Sequence, residues 1–310
     1  MIELRKLGLV YGNRSSCARV ANHVAKNKAK IGVLISGYRY CEILPRIERE
    51  IQRLAAEASY ETVTNDDASS NDYGCMGRRS VELARLLVSA GVKGVILQPE
   101  QFSPDGASTN AKMLNIFAEA SIPVVLLGCD GVRSPEWSGK DLVALDNFSS
   151  GRLLASHLKE RGVRRVSFVA SLNCADNVNL RISGVRSVFG EGNMDLLLVK
   201  DGSSVSELKT ALKGLPELES VVCQNDVTAV AVSRALQAMG LSIPSRVMLA
   251  GFDDAVIASE MHPQLTTIRQ PCYEKSKMLF DCLIRRMREP EAPPLTVLLH
   301  GQLMARGSTD

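Results

Sequence analysis

The 310-residue sequence lacks features that identify membrane-spanning and exported proteins. No run approaches the about eighteen apolar residues that a membrane span needs, and no apolar stretch of signal-peptide length stands near the N-terminus. We therefore expect a protein that contacts no membrane.

Metal-binding and catalytic motifs are missing as well. The eight cysteines include no CxxC pair, and the four histidines form no cluster at ligand spacing, so we expect no metal site. The sequence contains no GxSxG, HExxH or GxxxxGK motif, which argues against an enzyme, and it suggests no cofactor. Scattered free cysteines fit a reducing compartment, and we expect a cytoplasmic protein.

The composition is that of a globular protein, with 45% hydrophobic and 23% charged residues. The net charge of +3 is too small to indicate nucleic-acid binding over the whole surface. Basic residues are nevertheless concentrated in the first thirty positions, which contain seven lysines and arginines and a single acidic residue, Glu3.

From residue 30 onward, short apolar runs alternate with amphipathic helical patterns. Segments 30–35 and 60–64 are predicted to be strands, and segments 44–58 and 80–90 are predicted to be helices with one apolar face. The same alternation restarts near residue 147. This pattern predicts an α/β fold with two doubly wound parallel-sheet lobes and a ligand cleft between them.

Parallel sheets bind ligands at the carboxyl ends of their strands, so polar residues that follow the predicted strands are candidate cleft residues. We select as candidate ligand-binding residues Tyr38, Gln98, Glu100, Asp146, Arg181, Asn225, Asp253, Asp254 and Gln270. Asp146, Arg181, Asp253 and Asp254 could instead be ordinary solvated or capping residues. Asp226 is expected to be the N-cap of the helix that follows it.

Several stretches resemble the effector domain of the LacI/GalR family of bacterial transcription regulators. They are AEASIPVVLLG, VALDNFSSGRLLASHLKERGVRRVSFVA, LRISGVRSVF, VVCQNDVTAVAVSRALQAMGLSIPSRVMLAGFDD and PQLTTIRQP, and the resemblance covers about residues 29 to 310. It implies a periplasmic-binding-protein fold, a homodimer, and a sugar or sugar-like effector bound between the lobes. It also implies that Asp146, Arg181, Asn225, Asp253 or Asp254, and Gln270 face that effector.

The resemblance implies lobes that are discontinuous in sequence, because this fold crosses between its lobes three times. We expect one lobe from residues 29–147 plus 272–289, and the other from 148–271 plus 290–310. In particular, the last strand segment, 295–304, is assigned to the carboxyl lobe.

Residues 1–28 are interpreted as a truncated DNA-binding module and a basic linker. LGLVYGNRSSCARVA resembles the end of the recognition helix and the wing of a GntR-type winged helix-turn-helix, although Ser15 and Cys17 replace two glycines of that pattern. We expect operator DNA to be a partner of a full-length protein only. The alternative interpretation is a sugar-binding receptor of the same fold that does not act on DNA.

Overall fold

The structure is a computed structural model, and the residues it describes form fourteen β-strands and nine α-helices. The described residues are 10–11, 19–20, 28–35, 42–64, 73–101, 105–128, 137 and 139–310. The strands are β1 (Val10–Tyr11), β2 (Arg19–Val20), β3 (Lys30–Leu34), β4 (Glu61–Thr64), β5 (Val95–Leu97), β6 (Val124–Leu127), β7 (Asp141–Leu145), β8 (Val166–Ser171), β9 (Met194–Val199), β10 (Ser220–Cys223), β11 (Met248–Ala250), β12 (Thr267–Arg269), β13 (Thr296–Leu299) and β14 (Gln302–Met304). The helices are α1 (Ile43–Glu57), α2 (Tyr73–Ser89), α3 (Gly106–Glu119), α4 (Asn147–Glu160), α5 (Asp176–Phe189), α6 (Val205–Lys213), α7 (Asp226–Ala238), α8 (Val256–Glu260) and α9 (Cys272–Arg288).

The amino lobe is built on a six-stranded parallel sheet in the order β13-β7-β6-β5-β3-β4. Its central strands are apolar and buried because helices cover both faces, with α1 and α9 on one face and α2 and α3 on the other. The apolar stripe of α1, which includes Ile43, Ile47 and Ile51, packs against β3 and α9.

The carboxyl lobe is built on a four-stranded parallel sheet in the order β11-β10-β8-β9. Helices α4 and α5 pack on one face, and α6 and α7 pack on the other. Strands β12 and β14 form an antiparallel pair beside β11, to which they are joined by an isolated bridge between Ala250 and Thr266.

The chain passes between the lobes three times. It crosses after β7 at Asp146, after β12 at Gln270, and between β13 and β14. The carboxyl ends of strands from both sheets therefore meet at these crossings, where the sequence predicts a cleft.

The last strand segment differs from our expectation for residues 290–310. Thr296–Leu299 pair in parallel with β7 and so belong to the amino-lobe sheet, whereas only Gln302–Met304 pair with β12. The buried carboxylate of Asp141 explains this placement. It accepts two hydrogen bonds of 2.9 Å from Arg286 of α9 and one of 2.7 Å from the Leu295 amide, which fixes the start of β13 beside β7.

Near the N-terminus, β1 and β2 pair antiparallel, with Val10 opposite Val20 and Tyr11 opposite Arg19. The rest of the expected winged-helix remnant, residues 1–9, 12–18 and 21–27, lies outside the described residues. Among the helices that are described, none combines the length and the hydropathy of a membrane span.

Candidate functional site

A buried polar cluster lies where strands of the carboxyl lobe end beside the second crossing. Its centre is Asp253, which is only 8% exposed and lies in the turn after β11. Asp253 and Asp254 have positive φ angles of 113° and 52°, a conformation that aspartate tolerates better than most residues. The turn directs the Asp253 carboxylate toward Arg181 and Gln270.

Arg181 of α5 holds the cluster together. Its guanidinium donates to Asn147 Oδ1 at 2.8 Å and to the Gln224 carbonyl at 2.6 Å, and its Nη2 lies 3.7 Å from Asp253 Oδ1. It also stacks over the Phe252 ring, with its central carbon 4.7 Å from the ring centroid. The side chain is 4% exposed and is thus a fixed donor at the inner end of the cleft.

Gln270 links the two lobes. Its amide nitrogen donates to Asp253 Oδ1 at 2.7 Å, and its amide oxygen accepts from the Lys275 ammonium at 2.7 Å. Lys275 lies in the first turn of α9 and is therefore an amino-lobe residue. Burial raises the pKa of Asp253, although the charge of Arg181, the hydrogen bond from Gln270 and the charge of Lys275 oppose that rise.

Asp254 has different partners from its neighbour. Its carboxylate accepts from Arg269 at 2.6 Å and from Arg306 at 2.5 Å. Burial alone would raise the pKa of Asp254, but these arginines outweigh it and lower the pKa below its ordinary value. Of the two carboxylates that the sequence offers as alternatives, Asp253 is the one that joins Arg181 and Gln270.

Asp146 and Asn225 both act as helix caps. Asp146 accepts from the Ser149 amide at 2.8 Å at the start of α4, and Asn225 accepts from the Thr228 amide at 2.9 Å at the start of α7. Asn225, and not Asp226, is thus the N-cap of α7, and our expectation for Asp226 was wrong in this respect. Asp226 is instead almost completely buried beneath the cluster.

On the amino-lobe side, Gln98 and Glu100 follow β5. The buried Gln98 Oε1 has no hydrogen-bond partner among the described residues, which leaves an acceptor for a ligand hydroxyl or amine. Glu100 is 5% exposed, and its carboxylate accepts from the Ser80 hydroxyl at 2.7 Å. The last candidate, Tyr38, lies outside the described residues.

The two lobes also touch at the rim of the cleft. Glu42, which precedes α1, accepts a hydrogen bond of 2.9 Å from the Val256 amide at the start of α8. Arg46 lies 3.4 Å from Glu42 and donates to the Asp254 carbonyl at 3.5 Å. These contacts join the amino end of α1 directly to the turn that carries Asp253.

The structure therefore brings Arg181, Asp253 and Gln270 together, and it adds Lys275, which sequence reasoning missed. A buried carboxylate beside a guanidinium and an amide can accept and donate to vicinal hydroxyl groups. The described residues contain no group of three or more histidine, cysteine or acidic side chains arranged to hold a metal ion.

Residues 155–309 match the family of periplasmic binding protein-like domains. The HTH-type transcriptional regulator CelR of Thermobifida fusca is 28% identical over 243 residues, which are 75% of this chain and 68% of that protein. The ribose operon repressor of Escherichia coli (strain K12) is 27% identical over 198 residues, or 61% of this chain, and the match spans only 58% of the repressor's length.

Among solved structures, a LacI family transcriptional regulator from Enterococcus faecium with bound ribose has a similar fold. Its TM-score is 0.71 at 24% sequence identity, and the match covers 90% of this chain and 98% of that chain.

Proposed function

Since this chain belongs to the family of periplasmic binding protein-like domains, we propose that it is the ligand-sensing part of a bacterial transcriptional regulator, a repressor. Its effector is a sugar or sugar-like metabolite bound between the lobes. The observation that carries the proposal is the buried cluster of Arg181, Asp253 and Gln270 at the crossing between the two sheets.

The chemistry of the cluster supports a polyhydroxylated ligand. Each sugar hydroxyl is both a donor and an acceptor, so Asp253 accepts from two neighbouring hydroxyls while Arg181 donates to one of their oxygens. The unpartnered Gln98 Oε1 accepts from the ligand on the other lobe. Tyr38, Glu100, Asp146, Asn225 and Asp254 remain candidate contacts, with the last four held by the partners described above.

Ligand binding favours a closed arrangement of the lobes, since the ligand interacts with both of them. In a cytoplasmic homodimer, closure would change the spacing of paired DNA-reading heads on an operator. Residues 1–28 are the proposed remnant and linker of a GntR-type head. The basic residues of this segment and the β1–β2 hairpin support that assignment.

The sensing role is tested by a thermal-shift screen of the chain against pentoses, hexoses, sugar acids, sugar phosphates and nucleosides. A ligand at a hundred times its Kd adds about 2.7 kcal/mol to the free energy of unfolding. Arg181→Ala and Asp253→Asn should each weaken binding of the hit by about 1–3 kcal/mol in isothermal titration, because each leaves a buried charged partner unsatisfied.

Arg186→Ala is the matched control, because Arg186 lies on the same helix and its described ion pair is with the exposed Glu191. Unchanged affinity in both site variants would refute the assigned site.

The receptor alternative is distinguished by chromatin immunoprecipitation from the native host. Enrichment at a defined operator that changes with effector supports the regulator, and no enrichment favours the receptor.

A further inference from the structure

Strand β9 is the outer strand of the carboxyl-lobe sheet, and its free edge is apolar. Its neighbour in the described part of the chain is β8, which pairs with it in parallel along its whole length. Leu196 and Leu198 of β9 are 42% and 44% exposed, although leucine is usually buried. An unprotected apolar edge of this kind favours pairing with another chain.

The backbone of β9 offers a regular row of hydrogen-bonding groups at this edge. The Val199 carbonyl accepts from the Leu172 amide, which follows β8, so Val199 is directed toward β8. Alternate residues of a strand direct their amides and carbonyls to opposite sides, so Met194, Leu196 and Leu198 direct theirs outward. No strand among the described residues pairs with this side of β9.

The edge strands of the amino lobe are protected in ways that β9 is not. Strand β4 begins with the charged Glu61 and contains two threonines, and β13 begins two residues after Pro294. Charge and proline both discourage pairing at an edge. The single charged residue of β9, Asp195, is bound by Arg165 of the same lobe at 2.7 and 2.9 Å and so does not protect the edge.

A second copy of this chain complements the edge of β9. In an antiparallel pairing about a two-fold axis at Leu196, Met194 lies opposite Leu198 of the second copy, and Leu196 lies opposite its own counterpart. All outward amides and carbonyls then have partners, as an interface between identical surfaces requires. The same register brings the exposed Lys200 beside the exposed Glu191 of the second copy, so the charges at both ends are complementary.

We propose that β9 is a subunit interface, at which two copies of the chain join their four-stranded carboxyl-lobe sheets edge to edge into one continuous sheet. Leu196 and Leu198 of each copy pack against the apolar side chains of the other across the two β9 strands. This inference goes beyond the proposed sensing function, which does not depend on where the subunits meet.

The first test is hydrogen exchange of the unmodified chain at residue resolution, at concentrations above and below the dissociation constant of the dimer. We expect the amides of Leu196 and Leu198 to exchange at least about tenfold more slowly in the dimer, because pairing removes them from water. The Leu197 amide is the internal control. It faces β8 and should be protected to the same extent in monomer and dimer.

The second test is Leu198→Lys, with Leu298→Lys as the control, since Leu298 is a half-exposed leucine on the edge strand β13 of the other lobe. Sedimentation velocity should give a dissociation constant of the dimer at least about tenfold higher for Leu198→Lys, because its dimer would bury two ammonium groups. The control should dimerise like the wild type. Circular dichroism checks that both variants are folded.

Three outcomes would overturn the proposal. The first is a wild type that sediments as a monomer at every concentration, and the second is a Leu198→Lys dimer as stable as that of the control. The third is a pair of Leu196 and Leu198 amides that exchange as fast in the dimer as in the monomer. Each outcome leaves the sensing function standing, because effector binding in the thermal-shift screen tests that function separately.

Discussion

Asp226 is 1% exposed, and its environment gives it an unusual protonation equilibrium. Its carboxylate accepts from the Thr267 hydroxyl at 2.7 Å and from the Ala255 amide at 2.9 Å. Burial, and then the negative charge of Asp253, raise the pKa of Asp226 to about 8. Asp226 therefore supports the turn of Asp253 and Asp254 in a largely uncharged form at neutral pH.

This pKa predicts a pH-dependent stability. An unfolded aspartate has a pKa of about 3.9. Between that pH and about 8 the folded chain retains a proton that the unfolded chain releases, so the stabilising contribution of Asp226 falls as the pH rises. Asp226→Asn removes this titration. We expect the free energy of unfolding of the variant, minus that of the wild type, to increase from about pH 6 to about pH 8.5 when both are measured by urea unfolding.

Titrating groups that do not interact with Asp226 are common to both proteins and cancel in the difference. A difference in unfolding free energy that stays constant or decreases over this pH range would contradict the assignment.

The sequence predicted individual site residues from one signal, which is their position directly after a predicted strand. Arg181, Asp253 and Gln270 were predicted and do lie together. Lys275 carries no such signal, because it lies within a helix pattern and its burial depends on how the first turn of α9 lies beside Gln270 at the crossing. The capping role of Asn225 depends on a backbone geometry that places the helix start one residue earlier than expected.

At the scale of elements, two glycines set the position of Arg181. Helices α4 and α5 cross so closely that a Cβ added at Gly151 would clash with the Arg181 carbonyl. A Cβ added at Gly184 would clash with the backbone of Phe148 and Arg152. This crossing places Arg181 of α5 within 2.8 Å of Asn147 at the start of α4.

Gly184→Ala should therefore force the two helices apart. We expect a loss of about 1–3 kcal/mol in the free energy of unfolding, as for other overpacked interiors, together with weaker effector binding. Urea unfolding and titration with the effector measure the two effects. Ser183→Ala is the control, because Ser183 lies on the exposed side of α5 and its described hydrogen bond is to the Asn179 carbonyl of its own helix.

If Gly184→Ala were as stable as Ser183→Ala and bound effector normally, the close crossing would not be what positions Arg181.

Element boundaries were predicted best where apolar periodicity was strong. The expected helix at 44–58 is found at Ile43–Glu57, and the expected strand at 60–64 is found at Glu61–Thr64. Helix α2 begins at Tyr73, seven residues before the expected start at 80. Its first two turns, YGCMGRR, contain two glycines, which disfavour helix formation, so the local pattern did not indicate a helix there. The pairing of β13 with β7 depends on the buried Asp141, so it could not be predicted from the local sequence pattern of either segment.

At the scale of the whole molecule, the contacts of Glu42 and Arg46 join the lobes at the rim of the cleft. They can form only while α1 and α8 are close together, so they stabilise the closed arrangement selectively.

Glu42→Ala should shift the lobes toward an open arrangement. Loss of one hydrogen bond of about 0.5–1.5 kcal/mol predicts a Kd for effector that is roughly two- to tenfold higher. Small-angle X-ray scattering should show a larger radius of gyration for the ligand-free variant. Glu50→Ala is the control, since Glu50 lies on the same helix and pairs with Arg53 on the same lobe.

An unchanged radius of gyration and an unchanged Kd in Glu42→Ala would show that the rim contacts do not influence closure.

The third crossing has a consequence for how the protein is made. Strand β13 completes the amino-lobe sheet, and β14, with the buried Ser308 and Thr309, completes the carboxyl lobe. Neither lobe can therefore be completed until residues 296–309 have left the ribosome, although domains commonly fold in order during synthesis. A ribosome stalled shortly before Thr296 would carry two unfinished lobes, so the two lobes reach their native state together once these residues have emerged.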